Sequence, residues 1–417
     1  MRLRRLVLIL VLVARSSRGL AEDLDPPDPE EVRTGSKAFQ YESEHFTLRF
    51  GGGLLVDYTT YIQDSASKAQ MPDLGPESGI RDLRGLASGR LFWKRLTYTW
   101  GYMYDAAANK WRFRQTGLKL SVPELDGFLF VGRTKEGIST NKFTVGYYGF
   151  FNERVAVNDA FLPILADGVR WLASAAGGRL VYNVGIYADP ISEDESFNKN
   201  DWQAVGRFVW LPLTRLAPGD KGVIDDAPVL HLAVGARYAG ANDGFLQYRS
   251  KPEAFLAQDQ AVDTGEFPAT GSMILNAEAY YLNGPLSVGG EYFINRVSSD
   301  ATRDPWFHGG EVFAAYLLTG EMHPYNARGA FFEDVAPARS FFRNGKGAVE
   351  LAARCSYVDL DSELVRGGRF LRATALLNWY LSESLRFEAA YGVGFLDRDG
   401  LDGTTHFFQT RIQLSIE

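Results

Sequence analysis

The fold is decided by the stretch LRFEAAYGVGF at residues 385–395, in which large apolar residues alternate with charged or small ones. Phe387 and Tyr391 share one face of an extended chain and Arg386 and Glu388 share the other, because successive side chains of a strand point to opposite sides. One face suited to lipid and one suited to water is typical of the wall of a membrane-spanning barrel. The stretch therefore predicts a strand that separates a bilayer from an aqueous interior.

The segments around this stretch repeat its period of two. Residues 371–381 place leucine, alanine and tryptophan outward and polar residues inward, and only residues 382–384 separate them from the next strand. So short a connection joins antiparallel neighbours. Residues 349–357 divide in the same way, with Cys355 on the lipid side, and residues 408–416 end the chain inside a strand. A closed barrel requires such an ending.

Applied to the whole chain, the same rule predicts about 16 strands, a number typical of barrels with a water-filled channel. They begin near residues 46, 80, 96, 112, 127, 168, 179, 202, 228, 271, 286, 308, 346, 369, 384 and 405. We therefore predict an all-β fold, a transmembrane antiparallel up-and-down β-barrel. Three long gaps, at 133–167, 239–270 and 320–345, predict long outer loops that fold into the lumen.

The N-terminus predicts an exported protein. A basic segment, a short apolar run and a small-x-Ala site at residues 19–21 form the pattern of a cleavable secretory signal. We assign residues 1–21 to this signal, residues 22–45 to a flexible leader rich in acidic residues and proline, and residues 46–417 to an outer-membrane barrel. No later apolar stretch is long enough to span a bilayer as a helix. The expected location is the bacterial outer membrane, with its lipid as a partner.

The charged residues argue against a nucleic-acid partner. Without residues 1–21 the chain keeps 39 basic and 51 acidic residues, a formal charge of −12. Proteins that bind nucleic acids present basic surfaces instead. The 44 basic residues of the whole chain comprise 33 arginines and only 11 lysines. Because the guanidinium group offers a planar fork of donors that fits oxyanions, this excess favours a surface that contacts anions.

Strand parity selects the first candidate residues. Arg84, Arg90 and Lys94 fall on the face opposite the neighbouring leucines, so we expect them to point into the lumen near one another. Arg81 has the other parity, unless the strand starts later or carries a bulge. Rings of such cations let a pore replace the hydration shell of an anion.

Several collinear motifs resemble those of the phosphate-selective porin O and P family. They are RDLR at 81–84, GRLF at 89–92, FVGRTKE at 130–136, FNER at 151–154, YRSKPE at 248–253, VDTG at 262–265, YLLTGE at 316–321, PY at 324–325, AAR at 352–354, DLD at 359–361 and NWYL at 378–381. The resemblance implies a homotrimeric outer-membrane channel of 16 strands. It also implies that arginine and lysine side chains guide phosphate or polyphosphate through a narrow lumen.

Parity and resemblance together give eight residues that we expect to line the pore and bind anions. They are Arg84, Lys135, Arg154, Arg249 and Lys251, followed by Arg81, Arg133 and Arg90. Each has a structural alternative. An inward arginine is often paired with a carboxylate and then holds the wall, which applies to Arg84 and, through Glu153, to Arg154. Residues 249–251 have the alternative of being solvated at a loop tip.

The leading hypothesis is a porin for passive diffusion of small anions, with phosphate or polyphosphate as the implied solute. Its nearest rival is a general diffusion porin with weak or no phosphate selectivity, because Asp82 stands beside Arg81 where many members carry a second arginine, and Gln247 replaces another basic residue. An alternative of another class is a secreted β-sandwich binding protein, which would be recovered in a soluble fraction.

The sequence gives little support to an enzyme. The five histidines show no metal-ligand spacing, and no Gly-x-Ser-x-Gly elbow occurs. The glycines at 51–53 lack the lysine and serine that follow in a phosphate-binding loop. We expect no catalytic residues, no metal and no cofactor. An outer-membrane lipase remains an alternative that a turnover assay would decide.

Overall fold

A computed structural model describes residues 39–72, 74–105, 110–188, 200–217, 220, 222–257 and 259–416. The signal assigned to residues 1–21 and residues 22–38 of the leader lie outside them. Of the rest of the leader, Gln40–Glu42 forms a short strand that pairs with the first barrel strand. Within the described residues, no helix has both the length and the apolar character needed to cross a bilayer.

Sixteen antiparallel strands close into a single barrel, as the sequence predicts. They are β1 (Thr47–Gln63), β2 (Glu77–Leu91), β3 (Trp93–Asp105), β4 in two parts (Lys110–Phe113 and Thr116–Val122), β5 (Gly127–Thr134), β6 (Ala166–Ala175), β7 (Leu180–Ala188), β8 (Asn200–Trp210), β9 (Val229–Ala241), β10 (Gly271–Asn283), β11 (Leu286–Ser298), β12 (Trp306–Leu317), β13 (Ala348–Asp361), β14 (Arg366–Tyr380), β15 (Leu385–Arg398) and β16 (Leu401–Ile416). Each strand pairs with the next, and β1 pairs with β16 from Gly52 opposite Ile416 to Gln63 opposite Thr405.

The two faces of the strands differ as the period of two requires. In β15, Arg386 and Glu388 are buried on the lumen side, whereas Tyr391 and Phe395 are exposed on the outer side. Cys355 is exposed on the outer face of β13. Closure also satisfies the backbone hydrogen bonds of every strand edge, which a bilayer demands because it offers no water to replace them.

The long connections leave the barrel from both ends. Loop A (residues 135–165) and loop B (residues 242–270) follow the odd-numbered strands β5 and β9, so they share one end, which we term the loop end. Loop C (residues 318–347) follows the even-numbered strand β12 and starts at the opposite, turn end, where residues 284–285 and 381–384 make short turns. The expectation that all three long gaps are outer loops is therefore wrong for loop C, because antiparallel strands reverse direction each time.

The connections contain short elements of their own. These are the helices α1 (Ser65–Gln70), α2 (Thr140–Phe143) and α3 (Ala156–Phe161), the 3-10 turns Pro123–Leu125 and Phe341–Arg343, and the strands Val223–Ile224, Phe245–Leu246, Arg249–Ser250, Val262–Asp263, Phe267–Pro268, Tyr325–Asn326 and Phe331–Phe332. The strand Val223–Ile224 pairs with Tyr325–Asn326 of loop C, and Arg249–Ser250 pairs with Val262–Asp263 within loop B.

All three loops fold into the lumen and pack there. Phe150 of loop A lies 4.9 Å from Phe332 and 4.1 Å from His323 of loop C, measured between ring centroids. Residues 139–141 of loop A donate hydrogen bonds to Glu291, Glu278 and Glu311 on neighbouring strands, at 2.6, 3.1 and 2.7 Å. Loop A is therefore held against β10, β11 and β12, and the open part of the lumen lies along β1–β5.

Arginines on four consecutive strands hold the backbone of loops A and B. Arg354 of β13 donates to the Glu153 carbonyl at 2.9 Å, and Arg372 of β14 donates to the Pro252 and Glu253 carbonyls at 2.7 Å. Arg386 of β15 donates to the Gly149 carbonyl at 3.0 Å, and Arg411 of β16 reaches the Asn152 carbonyl. Buried carbonyl groups need such donors, so these inward arginines support the loops.

Candidate anion pathway in the lumen

An open cavity of about 990 Å³ runs between strands β1–β5 and the inward faces of loops A and B. Sixteen arginine or lysine residues and seven aspartate or glutamate residues line it. The excess is opposite in sign to the formal charge of the whole chain, which is −7. The cations are thus gathered on the lumen, where fixed charges focus the field on a solute.

A β-bulge in β2 places Arg81 on this cavity. Leu55 of β1 pairs with Asp82, but the next residue, Val56, pairs with Ile80, so Arg81 is the extra residue of the pair of strands. An extra residue shifts the side-chain alternation by one position. Arg81, Asp82 and Arg84 can all face the lumen for this reason, and all three line the cavity.

Arg81 is bound by a carboxylate and an aromatic ring. Its Nε and Nη2 donate to the two oxygens of Glu153 in loop A, at 2.8 and 3.2 Å, and its guanidinium lies 3.9 Å from the centre of the Phe255 ring in loop B. Arg411 donates to the same carboxylate at 2.5 Å. Burial alone would raise the pKa of Glu153, but the charges of Arg81 and Arg411 outweigh it and lower that pKa to about 2.

Arg84 has the same two kinds of partner. Its Nε donates to Asp82 Oδ1 at 3.0 Å, its Nη2 bonds the other oxygen of that carboxylate, and its guanidinium lies 4.2 Å from the centre of the Tyr147 ring in loop A. The phenol of Tyr147 reaches Gly53 of β1, where an added Cβ would overlap its oxygen. The absence of a side chain at Gly53 therefore lets loop A approach the wall.

The predicted cations of loop A hold the loop as well as line the cavity. Lys135 Nζ donates to the carbonyls of Phe143 and Thr144 at 3.0 and 2.6 Å. Arg154 Nη2 donates to the Thr144 carbonyl at 2.8 Å, and its Nη1 bonds the Asn141 carbonyl. Burial, followed by the charges of Arg154 and other cations, holds the pKa of Lys135 well below its usual value.

Loop B supplies one cation with no partner. Arg249 lines the cavity, its side chain is exposed, and it makes no hydrogen bond or ion pair with any residue that the structure describes. The carboxylate opposite it, Asp263, instead accepts from Gln247 at 2.8 Å. Lys251 also lines the cavity, where its Nζ donates to the Phe255 carbonyl at 3.0 Å.

The last two predicted residues have different surroundings. Arg90 lines the cavity near the turn end and forms an ion pair with Glu42 at 2.8 Å. Arg133 is 3% exposed, pairs with Asp167 of the next strand at 3.0 Å, donates to the Phe113 carbonyl, and is not among the residues that line the cavity. Arg133 therefore fits the structural alternative, in which an inward arginine stabilises the wall.

Lys94 lines the cavity, as its strand parity predicts. Further cations line the cavity that were not predicted from the sequence to do so. They are Arg49, Arg95, Arg114, Lys119, Lys142, Arg328, Arg354 and Arg411. Arg90, Thr97 and Lys119 lie side by side on three neighbouring strands. Parity alone would have found Lys119, which lies between two outward leucines. It could not find Arg114, because β4 is interrupted at residues 114–115.

The described residues contain no group of three or more histidine, cysteine, aspartate or glutamate side chains arranged to hold a metal ion. The acidic groups of the cavity instead face arginines or, in the case of Asp159, Lys142. The lining of the cavity therefore combines fixed positive charges with carboxylates that neutralise part of them. Charged side chains of this kind can replace part of the hydration of an ion.

Comparison with known proteins places this barrel in a family. The family model for phosphate-selective porin O and P matches residues 129–416. An uncharacterized protein of Caulobacter vibrioides is 27% identical over 281 residues, which cover 65% of this chain and 54% of that one. Porin O of Pseudomonas aeruginosa is 25% identical over 217 residues, which cover 44% of this chain and 49% of that one. The chain thus spans about half the length of these curated relatives.

Solved structures share the architecture. OmpT of Vibrio cholerae superposes with a TM-score of 0.53 at 12% identity, covering 90% of this chain and 99% of that one. An anion-selective porin from Comamonas acidovorans gives 0.52 at 12% identity, covering 89% and 99%. At these identities the likeness shows the fold alone. The family model, however, covers well over half of the chain, and the barrel is closed, so this is an outer-membrane β-barrel that belongs to the phosphate-selective porin O and P family.

Proposed function

We propose that the protein is a passive diffusion channel for small anions. The observation that carries the proposal is the excess of cations on the cavity, sixteen against seven anionic groups. An ion that leaves bulk water loses part of its hydration, and fixed charges of opposite sign compensate for that loss. A barrel that passed cations would need the opposite balance.

The cations are distributed along the whole pathway. Arg249 and Lys251 belong to loop B at the loop end, Arg84 lies in the middle of β2, and Arg90 and Lys94 lie where β2 meets β3 at the turn end. A series of binding sites lets an ion move by short steps, whereas a single site of high affinity would retain it. The lining therefore supports transport across the full height of the barrel.

Phosphate or polyphosphate is the solute that the family suggests, and we propose it for this chain. Porin O of Pseudomonas aeruginosa is the named relative, and one neighbouring fold is described as an anion-selective porin. The second candidate is a general anion channel with weak phosphate preference. The carboxylates of Asp82 and Glu153, which occupy the donors of Arg84 and Arg81, favour this second candidate.

We also propose that three copies assemble in the outer membrane. One structural neighbour, OmpT of Vibrio cholerae, is described in a trimer form, with a TM-score of 0.50. Cross-linking of the detergent-solubilised protein, followed by electrophoresis without heating, would separate a trimer from a monomer.

The proposal is tested by reversal potentials in planar bilayers across a gradient of potassium chloride. The expected sign is that of chloride as the main charge carrier. Arg249→Ala should reduce the selectivity for chloride, because it removes an unpartnered cation of the cavity. Arg303→Ala is the matched control, since Arg303 is an exposed arginine paired with Glu363 outside the cavity. A current carried mainly by potassium in the unmodified protein would refute the proposal.

A further inference from the structure

Two carboxylates of the cavity occupy the positions that a permeating anion would take. Asp82 accepts from Nε and Nη2 of Arg84, and Glu153 accepts from Nε and Nη2 of Arg81. In each case both carboxylate oxygens face one edge of a guanidinium group. This is the bidentate geometry in which arginine binds free carboxylate or phosphate.

We propose that Asp82 and Glu153 are tethered counter-ions, which compete with the permeating anion for Arg84 and Arg81 and so keep its binding weak. The proposal rests on the function proposed above and concerns how tightly the same pathway holds its solute. A channel must bind an ion well enough to admit it and weakly enough to release it. A carboxylate attached to the wall lowers the affinity of the site without removing its positive charge.

The aromatic partners keep these arginines in place. Tyr147 lies under the guanidinium of Arg84, and Phe255 lies under that of Arg81. Both stacking interactions fix the plane of the guanidinium and limit its movement. An incoming anion therefore meets an oriented arginine whose bidentate edge is already bound, and it has to displace the carboxylate or share the arginine with it.

The unpartnered cations on the same cavity have a different role. Arg114 and Arg249 make no side-chain hydrogen bond or ion pair with the described part of the chain. They contribute charge to which no carboxylate is directly bound, and this charge attracts anions over a distance set by screening. Attraction and weak binding are thus assigned to different residues, so they can be changed separately.

The test measures how strongly inorganic phosphate blocks chloride current in single channels. We expect Asp82→Asn and Glu153→Gln each to lower the phosphate concentration for half block about tenfold, which corresponds to about 1.4 kcal/mol of binding free energy. Both replacements keep the shape of the side chain. Asp82→Glu retains the charge and should keep weak phosphate block.

The control replaces a buried carboxylate whose arginine partner does not line the cavity. Asp57 itself is unsuitable because its partner Arg411 lines the cavity, so Asp167→Asn takes this place. Asp167 is a buried carboxylate that pairs with Arg133 at 3.0 Å, neither residue lines the cavity, and phosphate block should be unchanged. Because Arg411 Nη1 also bonds the Asn152 carbonyl, the Glu153→Gln variant retains one anchor of loop A.

The outcomes separate the two proposals. If Asp82→Asn and Glu153→Gln stay selective for chloride and their phosphate block is unchanged or weaker, the tethered counter-ions are refuted while the anion channel stands. If the unmodified protein prefers potassium, the channel proposal fails before the variants are compared. A variant that does not assemble is replaced by Asp82→Ser, which removes the same carboxylate with a smaller side chain and carries the same expectation.

Discussion

Replacing Arg354 by leucine should release loops A and B from the barrel wall. Arg354 of β13 binds the Glu253 carboxylate of loop B at 2.6 Å, donates to the Glu153 carbonyl of loop A at 2.9 Å, and lies 4.4 Å from the centre of the Phe151 ring. The side chains of Arg354 and Glu253 are 2% and 0% exposed. One arginine therefore connects both loops to one strand.

The magnitude follows from the charge that is left behind. In Arg354→Leu the carboxylate of Glu253 keeps its bonds from Ser356 Oγ at 2.6 Å and the Ala156 amide at 3.0 Å, but it loses its cation. Removing one member of a buried ion pair costs about 3 to 5 kcal/mol. A cost of this size shifts the ratio of docked to undocked loops by more than about a hundredfold.

Single-channel recording is the assay. The variant should show a larger mean conductance and frequent transitions between levels, because undocked loops uncover the lumen on the side of β13. Glu253→Gln in the same protein should restore much of the steady conductance, since a neutral amide leaves no unpaired charge. Steady conductance of unaltered size in Arg354→Leu alone would refute the idea that this pair holds the loops.

Three further outcomes follow from particular side chains. Burial lowers the pKa of Lys142 to about 8, against the opposing charge of Asp159, so the group is charged below that pH and neutral above it; chloride selectivity should fall as the pH rises from 7 to 9, and Lys142→Arg should abolish that fall. Gly53→Val should displace Tyr147 and alter conductance, because the wall at Gly53 leaves no room for a Cβ; unchanged conductance would show that this contact is not needed. Cys355 faces outward in β13 and is the single cysteine of the chain, so a bilayer-soluble maleimide should label it in liposomes and a charged maleimide should not.

The wall of the barrel could be predicted from the sequence almost completely. Each of the sixteen strands begins within four residues of its predicted start. The reason is physical: a barrel strand meets lipid on one side and lumen on the other, so its pattern is imposed locally and repeats at every second residue. Strand order needs no further information, because short turns join antiparallel neighbours.

The contents of the lumen could not be predicted in this way. The pair between Arg411 and Glu153 joins residues far apart in sequence, and the contact of Tyr147 with Gly53 depends on how loop A crosses the lumen. Neither contact can be inferred from the alternation of side chains along a single strand. The bulge at Arg81 is a change of register between two strands, which alternation within one strand can suggest but not locate.

The one-sided position of the loops decides which arginines can serve a solute. Arg372, Arg386 and Arg411 point inward from β14, β15 and β16, yet loop carbonyls and carboxylates accept their donors. Arg114, between the two parts of β4, lines the cavity and makes no side-chain hydrogen bond or ion pair with the described residues. All of these residues are arginines, so the difference between them is whether a carbonyl or carboxylate group is placed against the guanidinium. A channel of this kind can therefore change its affinity for anions by moving a carboxylate on a loop, without any change to the cations of the wall.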